Sequence, residues 1–84
     1  MDFMERLVDL AHDDILGITD KSEKKMKKML KGETLEFYDF IKGQLSIIFK
    51  ANPTLASKIA IDLAERNKFL GFVIKEYKMM KRLS

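Results

Sequence analysis

ANPTLASKIAIDLAERNKF, residues 51–69, is the stretch from which the fold is read. Asn52 stands before Pro53, and proline is at home at the first position of a helix, where its missing N–H costs nothing. Behind it Leu55, Ile59, Leu63 and Arg66 fall three or four residues apart and form one stripe. Ala56, Ala60 and Ala64 are small enough to let a neighbouring helix approach. A single helix from here to Leu83 would run about 30 residues, long for so small a domain. The run ERNKF is therefore read as a break, with Asn67 ending helix four and a fifth helix from Lys68 to Leu83. Nothing in the local sequence forbids a continuous helix.

The same helical spacing extends toward the N-terminus, and no β-branched alternation interrupts it. The first helix is expected from Asp2 to Leu16, with Phe3, Leu7, Leu10 or Ala11, and Ile15 on one face. Gly17 suits the left-handed residue that closes such a helix. Asp20 followed by Glu23 marks the start of a second helix, with Gly32 at its far end. Thr34 is expected to cap a third helix whose stripe is Phe37, Ile41, Leu45 and Ile48, widened by Phe40 and Phe49. Gly43 lies inside that helix, at a cost of about 1 kcal/mol against alanine, or else marks a close helix crossing. The chain thus reads as an all-α, compact bundle of about five short helices, a single domain over 1–84. The fourth and fifth helices form one helical hairpin.

Composition narrows the class. The 84 residues include no cysteine, one proline and four glycines, which excludes a disulfide scaffold and a low-complexity chain. A chain this short buries only about 60–65% of its unfolded surface, so its stability margin is small. MDFMERLVDLAHDD is acidic where a secretory signal is basic, and FLGFVI (69–74) is far short of a ~20-residue membrane span. The expected location is the cytoplasm, away from membranes.

The net charge of +3 conceals a strong asymmetry. Residues 1–20 hold six acidic side chains against Arg6, a local net of −5. Residues 21–31 hold six lysines against Glu23, a net of +5, and residues 64–84 carry +4. On a helical wheel the six lysines fill an arc of roughly 160°, with Met26, Met29 and Leu30 opposite and Glu23 beside them. Three readings of this face stand, one of them contact with an acidic protein partner or an anionic membrane. Lys21, Lys24, Lys25, Lys28 and Lys31 meet phosphates, with Ser22 the one polar group of the helix able to address a base; or the lysines form a solvated face balancing the acidic first helix. Lysine neutralises backbone charge and gives affinity that falls with salt, whereas base-reading arginine, asparagine and glutamine are absent from this segment.

ILGITDKSEKKMKKMLKGETLEFYDFIKG resembles a helix-turn-helix repressor, with the turn at Gly17-Ile18-Thr19, a short helix ending in LKGET, and a following helix. The order is similar to the N-terminal part of peptide-regulated phage and bacterial regulators of the arbitrium and Rgg type. There a helix-turn-helix leads into helical hairpins, which LASKIAIDLAERNKFLGFVIKEY also resembles. The resemblance spans roughly residues 12–84 and implies a DNA-binding transcription regulator. Two positions depart from the pattern: Asp13 stands where a small residue normally packs, and Glu23 where an apolar one faces the core.

Chemistry is poorly represented. His12 with Asp9 and Asp13 resembles a fragment of a metal-phosphohydrolase motif, but such sites need several histidines and this chain has one. Asp9 and Asp13 read as a solvated acidic stripe. There is no glycine-rich phosphate loop and no nucleophile paired with a base. No enzyme, cofactor, metal or small-molecule substrate is expected.

In the last helix Phe69, Leu70, Val73, Ile74, Tyr77 and Met80 form one face, while Phe72 and Met79, seven apart with Lys75 between them, project elsewhere. Two large apolar side chains on a second face point to a protein partner or a homodimer. The sequence thus offers a small nucleic-acid-binding regulator or, alternatively, a protein interaction module such as a phage-type inhibitor or adaptor that touches no DNA.

Overall fold

The computed structural model describes residues 2–83; the two ends of the expected 1–84 domain, residues 1 and 84, lie outside them. Among the described residues five helices follow one another: α1 (Phe3–Leu16), α2 (Lys21–Met29), α3 (Gly32–Ala51), α4 (Pro53–Ile61) and α5 (Leu63–Leu83). No strand occurs among the described residues.

Local signals set several of the boundaries. Asp2 caps α1 by accepting from the Glu5 N–H at 2.9 Å, and the Glu5 side chain reaches back to the Asp2 N–H. Gly17 closes α1 with φ 73° and donates its N–H back into the last turn. Asp20 and Glu23 form a second reciprocal cap at the start of α2. Asn52 accepts from the Leu55 N–H at 3.1 Å, with Pro53 as the first residue of α4.

Two boundaries differ from the expectation. The break between the last helices lies at Asp62, five residues before Asn67, and ERNKF is helix interior. Asp62 takes an extended backbone and its carboxylate accepts from the Ala64 and Glu65 N–H groups, ending α4 and starting α5 together. The third helix starts at Gly32, not after a cap at Thr34. Leu30 is buried and extended, so α2 stops at Met29, and the left-handed Gly32 (φ 59°) opens α3 instead of closing α2.

The core lies between α1 and α3 and is closed by α4 and α5. Leu7, Val8, Leu10 and Ala11 meet Tyr38, Ile41 and Leu45, with Ile59, Phe69, Leu70 and Val73 completing the cluster. Each large apolar side chain removed from water there contributes about 1.5–3 kcal/mol. Phe37, Phe40, Ile48 and Phe49 pack against it only in part. Leu63 and Phe3, expected in stripes, are exposed. The radius of gyration is 12.4 Å, close to the ~12 Å of a globule of this length. Among the described residues no helix is long and apolar enough to cross a membrane.

Helix α2 sits outside this arrangement. None of its nine residues is fully buried; Met26 touches the core in part, and the adjoining Leu30 is its firm anchor. Met29, expected to share that role, is 73% exposed.

Candidate nucleic-acid interface

Helix α2 holds its lysines in place through its first turn. The Asp20–Glu23 cap satisfies N–H groups at that end, and the acidic residues there suit the positive end of the helix dipole. Lys27 and Lys28 occupy the last turn, where positive charge is favoured. Of the sequence-predicted contact residues, Lys21, Ser22, Lys24, Lys25 and Lys28 lie on α2 and are all exposed. Lys31 is exposed too, but it stands in the extended connection before α3, so a helical wheel does not describe it.

Lys27 is the exception among the six lysines. Its ammonium lies 2.7 Å from Asp14 Oδ2, which also receives the Lys42 ammonium at 2.7 Å and the Tyr38 hydroxyl at 3.0 Å. The Lys27 and Lys42 hydrogen bonds hold the Asp14 carboxyl well below the usual carboxylate range. Burial, followed by the bond to Asp14, pushes the Tyr38 phenol up. Lys21, Lys24, Lys25, Lys28 and Lys31 form no ion pair with any described residue.

The acidic side chains of α1 are spent elsewhere. Asp9 lies 2.5 Å from the Arg66 guanidinium of α5. Asp13 lies 3.4 Å from His12 Nδ1 and stands near Glu23, to which it can hydrogen-bond when one of the two carboxyls is protonated. Burial first, then that bond, push the Glu23 carboxyl above its ordinary value. The two positions departing from the helix-turn-helix pattern therefore meet each other, joining the end of α1 to the start of α2 through a pair of acids.

His12 is held by packing, its ring 5.3 Å from that of Phe49. Asp9 is committed to Arg66, and among the described residues no cluster of three or more His, Cys, Asp or Glu side chains could hold a metal ion. On α5, Phe72 and Met79 are 49% and 47% exposed and Lys75 is exposed. Leu83, four residues beyond Met79, is 87% exposed and extends the same stripe. Sequence reasoning did not single out Arg6, which lies across a hollow from Lys25 and Lys31; nothing in the local pattern marks it. No family model, curated protein or solved structure matches the chain.

Proposed function

We propose that the protein is a small, non-enzymatic cytoplasmic regulator that binds nucleic acid through the outer face of α2, in the manner of the helix-turn-helix regulators its sequence resembles. One observation carries this reading: five lysines at one edge of the molecule have no carboxylate partner among the described residues, while the acids of α1 serve Arg66, Lys42 and Lys27. A face meant only to balance the acidic helix would show more pairs than Lys27–Asp14. Ammonium groups on flexible stems suit phosphates, so the binding is electrostatic, with sequence choice supplied by Ser22 or by another element.

Mobility shift of a random duplex tests it. If all five lysines meet phosphates, affinity falls about 10²–10³-fold between 50 and 200 mM salt. Lys24→Glu with Lys28→Glu abolishes the shift and leaves the circular dichroism unchanged. Unshifted duplex at micromolar protein and low salt refutes the proposal.

A second reading, a protein interaction module, is favoured by the exposed stripe of Phe72, Met79 and Leu83 on α5. Its spacing of seven and four residues suits a helix-to-helix contact, as in a homodimer. Phe72→Asp then converts a dimer into a folded monomer by light scattering; a wild-type monomer at high concentration excludes the dimer.

A further inference from the structure

Beside the lysine face lies a surface of different chemistry. Between α1, α2 and the start of α3 is an open hollow of about 490 Å³. Its apolar lining comes from Phe3, Met26, Met29 and Leu30, and no carboxylate borders it. Three cations do: Arg6 from α1, Lys25 from α2 and Lys31 from the connection. None of the three has an ion-pair partner among the described residues. A second, more apolar hollow of about 390 Å³, bordered by Glu33 and Lys78, continues past Phe3 and Thr34 toward Phe37 and Ile74.

We propose that this trough binds an acidic amphipathic helix of a partner protein. Apolar side chains at i, i+3, i+4 and i+7 would enter the methionine-lined hollow, and carboxylates on either side would meet Arg6, Lys25 and Lys31. Methionine suits such a floor because its flexible, polarizable side chain adapts to different apolar shapes. The cations come from three separate segments, so they match several carboxylates spread along a helix better than the single carboxylate of a fatty acid. The apolar floor gives nucleic acid little to bind, since Phe3 is the one aromatic side chain in the first hollow. Lys25 and Lys31 belong to both surfaces, but Lys24 and Lys28 do not line the trough, so the two readings can be separated by substitution.

Fluorescence anisotropy with a labelled acidic amphipathic peptide of about 16 residues, leucines on one face and glutamates on the other, tests it. A control peptide carries lysine in place of glutamate. Saturable micromolar binding of the acidic peptide alone is expected, weakened about tenfold or more by Met29→Asp and by Arg6→Glu. Lys24→Glu with Lys28→Glu should change it less than about threefold, while abolishing any duplex shift. Met29 is 73% exposed, so its substitution leaves the core intact, and Arg6→Glu gives an independent second variant. Absence of binding, equal binding of the lysine peptide, or affinity unchanged in both variants overturns the proposal. So does displacement of the peptide by oleate or by a single-stranded oligonucleotide with the same dependence on Met29.

Discussion

Arg66 lies 2.5 Å from Asp9 Oδ1, and the same guanidinium donates to the backbone carbonyls of Ile59, at 3.1 Å, and of Ala60. Those carbonyls belong to the last turn of α4, where backbone acceptors have no partner within the helix. One side chain therefore closes α4, ties it to α5 and pins both to α1. Arg66 is buried, whereas the Asp9 side chain is 36% exposed and can recover water if its partner is lost.

Replacing Arg66 by methionine keeps much of the apolar stem and removes all three bonds. The expected loss is about 3 kcal/mol, the lower part of the range for breaking a buried ion pair. Arg66→Lys recovers only part of it, because one ammonium cannot reproduce the planar fork that serves two carbonyls and a carboxylate. Urea denaturation followed by circular dichroism measures both; a lysine variant as stable as wild type would show that the fork is unnecessary.

Asp14 gathers Lys27, Lys42 and Tyr38, so a single carboxylate links α1, α2 and α3. Its folded-state pKa is depressed, so the folded chain holds this proton less tightly than the unfolded chain. The contribution is complete above the unfolded value of about 3.9 and is lost as pH falls below it. Asp14→Asn should cost about 2 kcal/mol at neutral pH, typical of hydrogen bonds to a charged group. The gap from wild type should narrow as the pH is lowered. Urea midpoints collected across the acid range check this, and a gap independent of pH would contradict it.

Glu23 behaves in the opposite sense. Burial and the hydrogen bond with Asp13 raise its pKa, so the folded state binds the proton more tightly than the unfolded state does. Its contribution is fully present below the ordinary glutamate value of about 4.3 and fades as pH rises through the raised one. Glu23→Gln keeps an acceptor for the Asp20 N–H and removes the ionisation. The variant should unfold at higher urea than wild type at neutral pH and at the same urea near pH 4 or below. A neutral-pH midpoint below that of wild type would mean that the charge contributes more to the helix cap than it loses to Asp13.

The helix ends governed by neighbours in sequence were legible: Gly17 after Leu16, the Asp20–Glu23 pair, and Asn52 before Pro53 each carry their own signal. Asp62 carried one as well, an acidic residue three positions before Glu65, and it outweighs the more distant Asn67. What the sequence hid are contacts between remote positions. Tyr38 is fully buried because its hydroxyl finds Asp14, 24 residues away. Arg66 is core because Asp9 waits 57 residues upstream. Lys27 differs from its five neighbours for the same reason: a wheel places it at the edge of the basic arc, but only the fold brings Asp14 beneath it.

Glycines give the last contrast. Gly43 and Gly71 lie inside α3 and α5, and a methyl group added at either would meet no atom within 4 Å. The close helix crossing considered for Gly43 is therefore absent, and its effect is the entropic cost of glycine in a helix. Gly43→Ala and Gly71→Ala should each stabilise by about 1 kcal/mol, or about 4–8 °C in Tm for a domain of this size. Gly17 has equally empty surroundings, but its φ of 73° lies where an L side chain strains the backbone. Gly17→Ala should therefore destabilise by about 1 kcal/mol. Thermal melts of the three variants, read side by side, separate backbone conformation from available space; stabilisation by Gly17→Ala would overturn the assignment of Gly17 as the left-handed end of α1.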